Sequence, residues 1–182
     1  MLTAKQINEE NLLKLDNTKG KKAQVGYDLS LKSVNKIGQQ DNLQHPNKIG
    51  KVFKDKTEIT TYVKYDTIQL EGVTGYLLYP GTYDITFNEG CNIPSNRVAF
   101  IKQRSSLYRN GAVINSPVFD PGFETDNMGT IMIVNEPIFI EQDARVAQIY
   151  FHECLGVQVE ELYGGVNSNS QFQGDRQRQS SH

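Results

Sequence analysis

"QRSSLYRNGAVINSPVFDPGF", residues 103–123, is the stretch on which the reading of this chain turns. Arg104 is followed at once by the hydroxyls of Ser105 and Ser106, with Arg109 close behind. Guanidinium groups grip phosphate oxygens through paired, charge-assisted hydrogen bonds, and serine hydroxyls or backbone N–H groups complete such a cradle. The same residues also read as a solvated turn after the strand-like "VAFIK". An apolar run, "GAVINSPVF", leads to Asp120, which stands directly before Pro121 and Gly122. Pro stiffens the backbone and Gly permits a tight turn, so the carboxylate is held at a strand end. There it could take a proton from water attacking phosphorus, or could simply initiate the turn.

Working outward, short runs rich in β-branched and aromatic residues flank this stretch on both sides. "ITTYVKYD", "TIQL", "GYLLYP", "TYDITF" and "NRVAFIKQ" precede it, and "GTIMIV", "PIFI" and "ARVAQIYFHE" follow, divided by Gly, Pro, Asn and Asp. Nearer the N-terminus "VGYDLSLKSVNKI" alternates in places and predicts another strand. Many short strands without long helical patterns predict an all-β sandwich or jelly-roll-like fold. The first fifteen residues predict a short helix, with Thr3 and Gln6 as a capping box. Residues 38–58 are polar and predict a long loop or insertion, and the last twenty residues lose nearly all apolar content, as a flexible tail would. The expected organisation is one domain over 1–162 and a C-terminal arm over 163–182.

With 182 residues the chain can bury an ordinary core, and a net charge of −2 makes no case for nucleic acid. The charged N-terminus and the lack of a long apolar run give no membrane signal, so the cytoplasm is the expected location, the host's if the chain is viral. Cys91 and Cys154 lack the spacing of a metal or redox motif and read as reduced packing residues. His152 with Cys154 would supply two metal ligands at most, short of a zinc site. Gln148 is a polar side chain within an otherwise apolar strand, and Arg145 could pair with Asp143 or reach a ligand.

Taken in order, these segments resemble the dUTPase and dCTP deaminase superfamily. "VGYDLSL" resembles its first motif, and "GYLLYPGTYDITFNEGCNIPSNRVAFIKQRSSLYRNG" is similar to the deaminase-branch stretch ending in "RSSLxRxG". "FDPGF" and "DARVAQIYF" resemble two further motifs, and "YGGVNSNSQFQGD" is a degraded likeness of the family's C-terminal arm. The resemblance implies a distorted β-barrel or jelly-roll subunit, a homotrimer with sites between subunits, and a deoxynucleoside triphosphate bound with Mg²⁺ on its phosphates. It assigns Arg104, Ser105, Ser106 and Gln148 to the phosphates, with Arg109 as the second arginine of the motif. Asn115, Val118 and Phe123 would meet base and sugar, and Asp28 would support the metal-bound waters. Asp120 would orient the attacking water, with Ser105 and Arg109 beside it in the catalytic set, and Tyr163, Phe172 and Arg176 would belong to the closing arm.

One departure carries most weight. Deaminases of the family place a glutamate on the strand after the "DPGF" turn, whereas here that strand reads "GTIMIVN". Losing a placed acid/base costs roughly 10²–10⁴-fold. The expected reaction is therefore dUTP to dUMP and pyrophosphate. The alternatives are a dCTP deaminase in which an acid such as Glu124 replaces the missing one, or a member of the fold that binds a nucleotide or protein without turnover.

Overall fold

The structure is a computed structural model that describes residues 1–15, 21–37 and 62–157. The predicted insertion at 38–58 and the arm at 163–182 lie outside the described residues. In chain order the elements are α1 (Ala4–Glu9), β1 (Leu13–Lys14), β2 (Lys21–Lys22), β3 (Tyr27–Ile37), β4 (Tyr62–Lys64), β5 (Ile68–Leu70) and β6 (Val73–Leu78). Then follow β7 (Gly81–Phe87), β8 (Gly90–Asn92), β9 (Arg97–Gln103), α2 (Ser105–Arg109) and β10 (Ala112–Asn115). The chain continues through β11 (Glu124–Thr125), β12 (Gly129–Val134), β13 (Ile138–Glu141) and β14 (Arg145–Glu153).

The main sheet runs β10-β12-β7-β3-β14-β9, with β2 and β4 also paired to β3. Its end strands, β9 and β10, are consecutive along the chain and joined by α2. Beyond β10, Phe119 makes an isolated bridge to Ala99 of β9, through reciprocal backbone bonds of 3.0 and 2.9 Å. That bridge brings the two ends of the sheet together into a nearly closed barrel. The quoted stretch, residues 103–123, is thus the segment that closes it. Two small sheets, β1-β8-β11 and β13-β6-β5, flank the barrel.

Alternation along the strands sets the core. Tyr83, Ile85 and Phe87 of β7, Ala99 and Ile101 of β9, and Ala147, Ile149 and Phe151 of β14 all point inward and are buried. Each fully buried large apolar side chain contributes about 1.5–3 kcal/mol, so this interior outweighs the surface ion pairs.

The predicted N-terminal helix is shorter than the apolar stripe suggests. Thr3 and Gln6 form the capping box, but the helix ends after Glu9. Asn11 adopts a left-handed φ of 51°, which a short polar side chain tolerates, and this turn releases Leu13–Lys14 to pair with Gly90–Cys91. Glu10 then accepts from Arg97 at 2.9 and 3.0 Å, docking the helix against the start of β9.

Candidate functional site

Asp28 is the centre of the first group of predicted site residues. It lies on β3 just after Gly26, whose φ is +76° and where an added Cβ would run into the Ile149 carbonyl oxygen. Glycine there lets the chain enter β3 tight against β14. Asp28 stands opposite Gln148 in the β3/β14 ladder and is only 8% exposed. Its Oδ2 is approached by Arg104 Nε at 3.5 Å and by Arg145 Nη1 at 3.4 Å. Arg104 also donates through Nη1 to the Arg145 carbonyl at 3.2 Å, and its backbone N–H donates to the Val146 carbonyl at 2.9 Å. One nearly buried carboxylate therefore orders two guanidinium groups that remain partly open to solvent.

Gln148 is likewise held, its amide donating to the Val25 carbonyl. Arg145 pairs with Asp28, while Asp143, the partner considered from sequence, accepts from Asn88 at 2.9 Å. The Arg104-Ser105-Ser106 run forms the start of α2, with Arg104 as its extended N-terminal flank at φ −71° and ψ 153°. Ser105 and Ser106 are exposed on its first turn, directly after Arg104 in sequence. Arg109 is also exposed, in the last turn of α2, where a cation suits the helix dipole.

The second group lies on the returning half of the closing segment. Asn115 ends β10 opposite Ile131 of β12, and its carbonyl accepts from Thr130 Oγ1 at 2.9 Å. Val118 is 49% exposed. Asp120 is exposed at a tight turn: the Phe123 N–H donates to the Asp120 carbonyl at 3.1 Å, and Gly122 takes φ +88° behind Pro121. Bonds between Ile93 and both Gly122 (2.8 Å) and Phe123 (2.9 Å) fix the turn to the barrel. Phe123 is half-buried and packs on Phe119 with ring centroids 5.3 Å apart.

Within one chain Asp120 is offset from the arginine cradle. Phe119 bridges Ala99, whereas Arg104 follows Gln103 at the far end of β9. Four residues of strand, about 13 Å, separate Ala99 from Gln103. Asp120 and the arginines thus occupy opposite ends of β9. Tyr163, Phe172 and Arg176 lie outside the described residues.

Strand β12 carries no carboxylate between Gly129 and Val134. Glu124, the candidate substitute, belongs to β11 in a different sheet and pairs with Lys14 at 2.7 Å. Asp126 pairs with the same lysine at 2.8 Å, and together the two acids raise its pKa through hydrogen bonds. His152 has an aromatic neighbourhood, edge-on to Phe100 at 5.9 Å and to Tyr150 at 5.7 Å. Among the described residues no group of three or more His, Cys, Asp or Glu is placed to hold a metal.

Sequence reasoning passed over Lys21 and Lys102. Lys102 could have been found, since it stands two residues before Arg104 on an alternating strand. Lys21 gave no local signal, because only the β2/β3 pairing brings it opposite Asp28.

Comparisons with known proteins agree with this architecture. The chain is 34% identical over 143 residues to "Deoxyuridine 5'-triphosphate nucleotidohydrolase" of Methanocaldococcus jannaschii, covering 79% of this chain and 84% of that protein. It is 38% identical over 100 residues to "Probable deoxyuridine 5'-triphosphate nucleotidohydrolase" of Methanosarcina mazei. That match takes in 54% of this chain and spans only 58% of the relative's length. Among solved structures, the 2'-deoxycytidine 5'-triphosphate deaminase of Agrobacterium tumefaciens superposes with a TM-score of 0.53 at 19% identity, over 82% of this chain and 46% of that one, a likeness of fold. The dCTP deaminase-like family profile matches residues 2–154, and the chain belongs to that family.

Proposed function

We propose that this protein hydrolyses dUTP to dUMP and pyrophosphate at a site shared between copies of the chain. The observation that carries the reading is the pairing of an ordered cation cradle with a carboxylate-free β12. Asp28 aligns Arg104 and Arg145, with Ser105, Ser106 and Gln148 alongside, as oxygens of a polyphosphate require. The reacting end then has Asp120 as its carboxylate, since β12 offers none and Glu124 is engaged by Lys14. The names of the Methanocaldococcus and Methanosarcina relatives support the same substrate.

In this reading Arg104, Ser105, Ser106 and Gln148 hold the phosphates, and Arg109 and Ser105 stabilise charge as the α-phosphate is attacked. Asp120 takes the proton of the attacking water, which makes that water a better nucleophile. Asn115, Val118 and Phe123 face the base and sugar. The separation of Asp120 from Arg104 along β9 supports a site in which one copy supplies the cradle and another the aspartate, as in the homotrimer that the family resemblance implies. Tyr163, Phe172 and Arg176 of the arm would cover the bound nucleotide.

The donor set suits Mg²⁺ carried by the phosphates: Asp28 is the carboxylate at the cradle, and two arginines already engage it. Bound Mg²⁺ would neutralise the triphosphate and ease departure of pyrophosphate. A free nucleotide is the expected ligand, with no nucleic acid or membrane partner, and the cytoplasm the expected location.

A second reading, dCTP deamination, is favoured by the description of the matching family profile. Incubation of the purified protein with dUTP or dCTP and Mg²⁺, with products resolved, separates the two. Pyrophosphate from dUTP without ammonia from dCTP is the expected result. Ammonia from dCTP would overturn the argument from β12.

A further inference from the structure

Across four neighbouring strands, Lys21 of β2, Asp28 of β3, Gln148 of β14 and Lys102 of β9 stand in one cross-strand row. Residues directly opposite in an antiparallel ladder project to the same face. The row therefore puts a lysine on each side of the Asp28–Gln148 pair, across three strand spacings, about 14 Å. Both lysines are exposed, and neither has a carboxylate partner among the described residues. Asp28 is already engaged by Arg104 and Arg145. Lys14, by contrast, is neutralised by Glu124 and Asp126.

We propose that Lys21 and Lys102 form a pair of phosphate-binding arms over the Arg104–Asp28–Arg145 cradle, selecting a polyphosphate by its chain length. The inference deepens the proposed function and rests on it for the identity of the substrate. Arg104 and Arg145 both pair with Asp28, and Arg104 also donates to a backbone carbonyl, so they suit one phosphate position. The lysine ammonium groups sit on flexible stems at either side and can follow the remaining oxygens. A triphosphate engages both arms, whereas a monophosphate product engages the fixed pair alone. The geometry thus favours binding of substrate over retention of dUMP.

The test compares wild type with Lys21→Gln, Lys102→Gln, the double variant and Lys102→Arg. Turnover of dUTP is measured at low and high salt, and binding of inorganic tripolyphosphate by calorimetry. Each Gln variant should raise KM for dUTP about three- to tenfold with kcat within about twofold of wild type. The double variant should bind tripolyphosphate more weakly than either single variant and show a flatter salt dependence. Lys102→Arg should restore affinity, which a role in folding alone would not require. Unchanged KM and unchanged tripolyphosphate affinity in the double variant would overturn the proposal. Should wild type leave dUTP intact, the proposed function fails, and tripolyphosphate binding still decides for or against the arms.

Discussion

Asp28 of β3 and Gln148 of β14 stand opposite each other, and the aspartate of that pair is the one on which Arg104 and Arg145 converge. The carboxylate acts as an organiser of cations. Asp28→Asn keeps the shape and removes the charge, so the two guanidiniums should repel and lose their alignment. Activity on dUTP should fall at least tenfold, with about 1–2 kcal/mol of stability lost, the partial exposure of the arginines moderating the second figure. Steady-state kinetics and a denaturant titration check both.

Asp120 sits on a turn fixed by Ile93, and the assignment of proton acceptor to it is direct to examine. Asp120→Asn should lower kcat by roughly 10²–10⁴-fold and leave nucleotide affinity within a few fold. Retained turnover would remove the aspartate from the mechanism.

The distance between Asp120 and Arg104 along β9 predicts complementation between copies. Asp120→Asn and Arg104→Ala should each be inactive. Unfolded together, mixed and refolded, they should recover activity approaching about a quarter of wild type, as random pairing across a cyclic interface gives. No recovery, with mixed oligomers present, would count against a shared site.

Phe100 and Tyr150 stack at 5.6 Å on the outer face of β9 and β14, with His152 beside them and Lys102 and Gln148 next along the strands. Half-buried aromatics on an outer sheet face, next to Lys102 and Gln148, are suited to a contact between copies. Phe100→Asp should shift the protein to a monomer in light scattering and reduce turnover together with assembly. An intact oligomer would place the contact elsewhere.

Cys91 is fully buried in β8, and burial pushes its thiol up to about 12 from an ordinary 9.0. The unfolded chain releases this proton first. The thiol's contribution to stability is therefore complete below pH 9 and lost as pH rises toward 12. Between about pH 8 and pH 10.5 the loss from this group should be on the order of 1–2 kcal/mol, and Cys91→Ala should lack it. Thiol labelling of the native protein should reach the half-buried Cys154 and spare Cys91.

The strands were readable because their cause is local. Alternation in "TYDITF" and "ARVAQIYF" already states which side chains turn inward, and the observed β7 and β14 follow it. The capping box of Thr3 and Gln6 was readable for the same reason, whereas the end of that helix depended on the turn at Asn11 and the pairing of Leu13 with Cys91. Arg104, Ser105, Gln148 and Asp28 were singled out by type and by motif order, without any sign that Arg104 reaches Asp28.

By itself, the sequence determined the all-β class, the rigid turn under Asp120 and the absence of an acid on β12. These follow from side-chain alternation, from proline and glycine backbone limits, and from residue identity. Only the tertiary structure decided that Arg145 belongs to Asp28, that Lys21 and Lys102 flank Gln148, and that Asp120 lies at the other end of β9. Strand pairing sets those relationships. Register across a sheet depends on which distant strands meet, and that information is spread over the whole chain.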